Sequence, residues 1–209
     1  MPTIWGRANS VNVQKVLWCC DELGVAFDRI DAGLHFGRNR EAEYLAMNPM
    51  GGVPTLVDGD FVLWESNSII RYLAMQYGHG ASLYPADPKQ RASVDRWLDW
   101  SLASLQPAER PVFWGYIRTP AAERDMANLK AAERPLADMW KVIDGQLQGH
   151  EFIETDEFTL ADLVLAIYAR RWYGIVEEIY RPSLANVARW YRLIGERAGF
   201  GRYISMPLT

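Results

Sequence analysis

Asn48–Ile70 reads NPMGGVPTLVDGDFVLWESNSII. Asn48-Pro49 and Gly51-Gly52 are turn chemistry. Val53–Val57 is a short β-rich run, Asp58-Gly59 is a strong hairpin signal, and Phe61–Trp64 supplies the returning strand. Ser66 stands where a helix N-cap belongs, ahead of Ile69, Ile70 and Leu73 at helical spacing. The stretch is therefore turn, strand, tight turn, strand and helix start. Pro54 sits at a strand entrance, where a proline is tolerated. If the Val53–Pro54 bond is cis, the Val53 N–H and C=O turn outward, and an extended peptide can pair with them as an added strand. The helix start at Glu65-Ser66 offers free N–H groups and partial positive charge to a carboxylate, with a hydroxyl from Ser66. Glu65 can take an ammonium group. Together they suit the paired charges of an α-amino acid end. A capped helix after a plain hairpin accounts for Ser66 alone; the combination points to a binding site.

Upstream, Thr3–Trp5 reads as a strand and Gly6–Asn9 as a loop. Val13, Val16, Leu17, Cys20 and Leu23 have helical spacing, with Gly24 as the stop. Val25–Ile30 returns to strand, and Glu41–Met47 forms a short helix after the polar loop Gly33–Arg40. The order β-α-β-α-β-β-α is that of a thioredoxin-like α/β domain, assigned to residues 1–78. Gly78–Pro88 holds two glycines and two prolines, so 79–88 reads as a linker. Residues 89–209 read as an all-helical domain. Pro88 suits a first helical turn, and Trp97, Leu98, Leu102 and Leu105 recur at helical spacing. Pro107 and Pro111 predict a kink or split. A helix is expected over Ala121–Gln148, interrupted at Pro135. Thr159 and Asp162 form a capping-box variant at the start of the next. A last helix covers Leu184–Arg197.

Of the 209 residues 49% are hydrophobic, nine of them Trp, enough for a sizeable core. The net charge of −4 gives no electrostatic argument for nucleic acid. No apolar run approaches a membrane span, and the N-terminus enters a strand at once, without the pattern of a secretory signal. Cys19 and Cys20 are neighbours on a helix and point in different directions, so they read as buried thiols, not a disulfide framework. A cytoplasmic protein without metal is expected.

The loop Gly6-Arg7-Ala8-Asn9 leads into the first helix, with Ser10 near its N-terminus and Asn12 just inside. A free thiol has a pKa of about 8.5 and is only a few per cent ionised at neutral pH. A hydroxyl donor and the helix N-terminus both favour the thiolate. Lowering a thiol pKa by two units needs about 2.7 kcal/mol, within reach of one charge-assisted hydrogen bond plus the dipole. Taken alone, Ser10 reads as an ordinary N-cap. No Ser-His-Asp pattern or GxSxG elbow suggests a hydrolase.

Trp5-Gly6 followed by Ser10-Val11-Asn12-Val13, then Asn48-Pro49-Met50-Gly51-Gly52-Val53-Pro54, Glu65-Ser66-Asn67-Ser68-Ile69 and Phe158-Thr159-Leu160-Ala161-Asp162, resemble the cytosolic glutathione S-transferases over essentially the whole chain. The likeness is nearest to bacterial serine-type members, similar to the theta and phi classes. It implies a thioredoxin-like N-terminal domain, an all-helical C-terminal domain, a homodimer, and glutathione as co-substrate. Ser10 matches the catalytic serine; in related bacterial members the working residue is an asparagine two places on, here Asn12. Val53, with Pro54, matches the residue whose backbone pairs with the cysteinyl part of glutathione, and Glu65 and Ser66 match the pair that holds its γ-glutamyl end. Many relatives hold the glycyl carboxylate with Lys or Gln where this chain has Gly52, which leaves the loop His35, Arg38, Asn39, Arg40 as the nearest donors, Asn39 and Arg40 foremost. No tyrosine or cysteine stands in the first loop, which argues against the tyrosine-type and mixed-disulfide classes.

The second substrate is expected to be a small hydrophobic electrophile between the domains, against Arg7, Phe113, Trp114, Ile117 and Arg118, with Tyr116 and Trp172 nearby. Arg118 could attract an anionic one. Two alternatives to conjugation stand beside it: a glutathione-dependent disulfide or peroxide reductase centred on Asn12, and a non-catalytic binding protein of the same fold.

Overall fold

A computed structural model describes residues 1–79, 82–175 and 179–208. The chain divides into two compact units, Met1–Tyr84 with Ala198–Met206, and Pro85–Arg197 with the extreme C-terminus. Gly80 and Ala81 of the expected linker lie outside the described residues.

The first unit is a four-stranded sheet with helices. Its elements are β1 (Thr3–Trp5), α1 (Val11–Glu22), β2 (Asp28–Ile30), α2 (Ala42–Met47), β3 (Thr55–Asp58), β4 (Phe61–Trp64) and α3 (Ser66–Tyr77). The strand order is β2-β1-β3-β4. β1 runs parallel to β2 and antiparallel to β3, with Ile4 opposite Leu56; β3 and β4 form a hairpin closing at Asp58↔Phe61. This is the thioredoxin-like order that the motif reading implies.

Alternation along β1 sends Ile4 and Trp5 to opposite faces. Ile4 and Leu56 are fully buried, as are Val13, Val16 and Cys20 of α1 and Ile69, Ile70 and Leu73 of α3, and α1 packs against α3. Trp5 meets Tyr44 of α2 edge-on, ring centroids 5.9 Å apart. Cys19 and Cys20 are both buried and free; burial pushes the Cys20 thiol up to about 12, so these thiols stay protonated and serve as small apolar groups. Residues Phe200–Ile204 form a π-turn packed on α1. Phe200 meets Trp18 edge-on at 5.7 Å, and the Gln14 side chain donates to the Tyr203 carbonyl at 2.9 Å. The C-terminal tail thus buttresses the helix that carries Ser10 and Asn12.

The second unit is helical, with α4 (Pro88–Trp100), α5 (Gln106–Phe113), α6 (Met126–Gln146), α7 (Leu160–Gly174) and α8 (Ala185–Gly195). α7 is its centre: every residue from Leu160 to Ala169 is buried, the signature of a helix surrounded by others. Trp172 of α7 stacks on Trp140 of α6, ring centroids 6.0 Å apart, which places it in the unit's core.

The prolines act more gently than their sequence suggests. α6 runs through Pro135 without interruption. Its ring removes the bond to the Ala131 carbonyl, but both residues are exposed, so water can take that carbonyl. Around Pro107 and Pro111 the helical path continues from Pro88 to Arg118, with π-turns at Ser101–Leu105 and Trp114–Arg118 on either side of α5. The irregularity is displaced into wider turns, where longer-range bonds such as Gln106 N–H to the Ser101 carbonyl replace regular ones.

Candidate active site

The first unit holds a cleft of about 120 Å³ lined by Asn12, Asn48, Met50, Gly52, Val53, Pro54, Trp64, Glu65 and Ser66. It lies where the loop before β3, the start of α3 and the first turn of α1 converge. Of the residues singled out from sequence, Asn12, Val53, Pro54, Glu65 and Ser66 line it; Ser10, Asn39 and Arg40 do not.

The Val53 edge is held from beneath. Asn48, almost fully buried, donates through Nδ2 to the Gly52 carbonyl at 3.1 Å and to Thr55 Oγ1 at 3.0 Å, while its Oδ1 accepts from the Met50 N–H at 3.1 Å. The Tyr44 hydroxyl adds a bond to the Gly52 carbonyl and lies 2.9 Å from Thr55 Oγ1. The Val53–Pro54 bond is cis. Among the described residues, neither the N–H nor the C=O of Val53 has a hydrogen-bond partner, so one donor and one acceptor stand ready for an extended chain. Two glycines make the approach feasible. A side chain on Gly6 would run into Val13 at 2.4 Å and Val53 at 3.3 Å, and one on Gly51 (φ +60) would meet the Asn39 carbonyl at 2.8 Å. A Cβ on Gly6 would push the Val53 loop and α1 apart, and one on Gly51 would push the same loop away from Asn39 and Arg40.

At α3 the cap is shifted by one residue from the sequence reading: Glu65 is the N-cap and Ser66 the first helical residue. Glu65 takes φ +72, ψ 110, a backbone region that costs a non-glycine residue about 1–3 kcal/mol. It makes no side-chain cap bond and its side chain is exposed. Ser66 is 4% exposed, and no hydrogen bond engages its hydroxyl among the described residues. The first-turn N–H groups, the Ser66 hydroxyl and the Glu65 carboxylate therefore border one end of the cleft.

Ser10 is the N-cap of α1 by backbone (φ −80, ψ 126), yet its hydroxyl makes no cap bond. Asn12, the second residue of α1, lines the cleft and keeps a buried Oδ1 with no partner. An amide can rotate by 180° to present either end, so Asn12 can offer an N–H to a thiolate or a carbonyl to a donor.

On the loop before α2, the Asn39 amide donates to the Gly51 carbonyl at 2.7 Å and so supports the cleft wall instead of facing it. Arg40 is exposed, with its guanidinium packed over Gly51 and no ion pair among the described residues. Arg7 belongs to the first unit, its Nη1 against Gly33. Phe113, Trp114, Ile117 and Arg118 belong to the second. Phe113 is 1% exposed and Trp114 46%, and the Arg118 guanidinium lies 4.8 Å from the Trp114 ring centroid and 5.6 Å from that of Phe113. Tyr116 is buried, its hydroxyl donating to Glu133.

The sequence reading missed Trp64 and Met50 as cleft residues. A tryptophan in a short strand reads as core, and a methionine beside Asn48-Pro49 reads as turn surface; nothing local marks either one as facing a ligand.

Residues 2–75 match the family described as glutathione S-transferase, N-terminal domain, and residues 100–197 the glutathione S-transferase, C-terminal domain. The chain belongs to the glutathione S-transferase family and is an enzyme of that family. It is 38% identical to glutathione S-transferase GstB of Escherichia coli over the full length of both chains. It is 31% identical to glutathione S-transferase F10 of Arabidopsis thaliana, with 86% of this chain and 85% of that one covered. Among solved structures it is similar to the theta class glutathione S-transferase of Xanthomonas axonopodis pv. citri with glutathione bound, at TM-score 0.93 and 42% identity, covering 100% of this chain and 99% of that one. Among the described residues no helix is long and apolar enough to cross a membrane.

Proposed function

We propose that the enzyme conjugates glutathione to a small hydrophobic electrophile, and that Asn12 and Ser10 together hold the glutathione sulfur as a thiolate at the mouth of α1. The observation that carries this reading is the unspent Val53 backbone pair beside the unpartnered Asn12 amide, both on one cleft. The cysteinyl segment of glutathione pairs with Val53, its γ-glutamyl end meets Ser66, the first turn of α3 and Glu65, and Arg40 takes the glycyl carboxylate beside Gly51. That the similar Xanthomonas theta class enzyme binds glutathione supports glutathione as the ligand of the cleft. Two donors worth about 1.4 kcal/mol each in differential stabilisation lower the thiol pKa by about two units, which raises the thiolate from a few per cent to the dominant form near neutral pH. The anion then attacks the electrophilic carbon.

The test is the pH dependence of kcat/KM with a neutral chloronitroarene, read with the absorbance of bound thiolate. Asn12→Ala and Ser10→Ala are each expected to move the acid limb up by about one pH unit and the double variant by about two. An unmoved limb in both single variants overturns the assignment. Because Asn12, and not Ser10, lines the cleft, a second reading has support: reduction of disulfides or peroxides by glutathione centred on Asn12. Disulfide turnover lost in Asn12→Ala and kept in Ser10→Ala selects it. We also propose a cytoplasmic homodimer. The exposed apolar side chains Phe61, Val62 and Met75 on the first unit support the pairing, and sedimentation equilibrium tests it.

A further inference from the structure

The two ends of the cleft in the first unit are built differently. One end is bordered by the first turn of α3, by the Ser66 hydroxyl and by the Glu65 carboxylate, with Ser66 almost fully buried. At the other end the lining is Met50 and Gly52. Met50 is 66% exposed, and Gly52 is exposed and brings no side chain. A Cβ built on Gly52 would meet nothing within 4 Å, so the space beside it is open. The cation at this end is Arg40, whose guanidinium packs over the neighbouring Gly51 from an exposed position. The Asn39 amide is spent on the Gly51 carbonyl. His35 and Arg38 of the same loop are exposed, and their side chains bond to no cleft residue among the described residues. A carboxylate seated at a helix start beside a buried hydroxyl is held by several directed donors. One held by a single exposed arginine is screened by water and salt and gains little.

We propose that the site reads glutathione through its γ-glutamylcysteinyl part and leaves the C-terminal end unread, so that γ-glutamylcysteinyl thiols whose glycyl carboxylate is amidated, or carries a further group in amide linkage, serve as co-substrates. The inference rests on the transferase reading above and names the class of thiol that its cleft takes. Pairing along Val53 runs the extended tripeptide from the α3 end toward Gly52, and its last residue leaves the cleft where no side chain meets it. Gly52 is the specificity-determining position, because the side chain it lacks is the one that would select a free carboxylate there. Amidation at the glycine leaves the cysteinyl sulfur and the groups at the start of α1 unchanged.

The experiment titrates four thiols into the full chain by calorimetry: glutathione, its glycyl amide, its glycyl N-butylamide, and 4-aminobutyryl-cysteinylglycine, which lacks only the α-carboxylate. Both amides are expected to bind within about tenfold of glutathione, and the 4-aminobutyryl thiol about a hundredfold more weakly or worse. Arg40→Gln is expected to bring glutathione down to the affinity of its amide. Gly52→Lys is expected to raise the preference for glutathione over the amide about threefold or more. A loss above about tenfold for either amide overturns the inference, as does an equal loss at the two ends of the tripeptide. A glutathione preference that survives Arg40→Gln reveals a further reader of the carboxylate and overturns it too, and so does a preference unmoved in folded Gly52→Lys. If Gly52→Lys fails to fold, the two amide affinities decide. Glutathione that binds while its amides do not sinks the inference and leaves the transferase reading intact, whereas no heat of binding for glutathione itself sinks both.

Discussion

At the start of α7, every polar side chain is spent on the protein; at the starts of α1 and α3, the equivalent groups are left over. Asp162 accepts from the Thr159 N–H and hydroxyl, both at 3.0 Å, and from the Ile153 N–H and the Trp190 indole, both at 2.9 Å. Thr159 Oγ1 in turn accepts from the Ala161 N–H at 3.3 Å. Ser10 occupies the same N-cap position on α1 and makes no cap bond, and neither does Glu65 on α3. The residue types are similar and the outcomes opposite. A helix start that satisfies itself is a structural joint, whereas one that leaves N–H groups, hydroxyls and an amide uncommitted beside a cleft has kept them for a ligand.

The largest effect expected from this contrast is at Asp162. Removing its carboxylate leaves four buried donors without an acceptor and unties α7 from α8 and from the Ile153 segment. Asp162→Ala should therefore cost about 4 kcal/mol, a fall of about 10 °C in Tm for a chain of this size, with glutathione affinity of the folded protein unchanged. The carboxyl is also pushed up to about 6 by burial, which outweighs its donors. A raised carboxyl favours its protonated form in the folded state. The stability it contributes is thus fully present below the ordinary carboxylate range and is lost as pH rises through about 6. The stability gap between wild type and Asp162→Asn should narrow as pH rises from about 4 to about 6, as measured by urea unfolding; a gap that widens would show Asp162 to be ionised throughout.

The joint and the site differ also in how far they were legible from sequence. Thr159-Leu160-Ala161-Asp162 declared its capping box locally, because both partners lie within one turn. Its long-range ties to Trp190 and Ile153 left no local trace. The Val53-Pro54 edge and the Glu65-Ser66 pair were legible because turn and cap residues carry backbone requirements with them. The position of the α3 cap was misread by one residue: Ser is a favoured cap and Glu at positive φ is disfavoured, so a propensity argument selects Ser66. Pro135 was misread for a similar reason. Local rules assign its cost without knowing that the orphaned carbonyl faces water. Trp64 entered the cleft unannounced, since which face of a half-buried strand meets a ligand is decided by the fold around it.

The next effect compares the two N-caps directly. Thr159→Ala loses an intact capping box and should cost about 1–2 kcal/mol. Ser10→Ala removes a hydroxyl that makes no cap bond and should change stability by less than about 0.5 kcal/mol, while shifting the thiolate titration as described above. Equal losses of stability in a chemical-denaturation pair would mean that Ser10 caps α1 after all, and the contrast between joint and site would collapse at α1.

The smallest effect is the most diagnostic, because its sign runs against intuition. Glu65 holds φ +72 at a cost of about 1–3 kcal/mol, and no side-chain cap bond offsets that cost. Glycine at this position removes the strain but adds freedom to the unfolded chain, worth about 0.5–1 kcal/mol in the other direction. The net expectation for Glu65→Gly is a gain of about 1 kcal/mol, a rise of about 2–4 °C in Tm. Glu65→Ala keeps the strained backbone and should show no such gain. Both variants lose the carboxylate proposed above to meet the ammonium group of glutathione, so both should weaken glutathione binding to a similar degree in calorimetry. Stability that rises in one variant and affinity that falls in both would separate the backbone cost of the site from its chemistry. If Glu65→Gly is instead the less stable of the two, the strain at the mouth of α3 is offset within the protein, and α3 belongs with α7 among the self-satisfied joints.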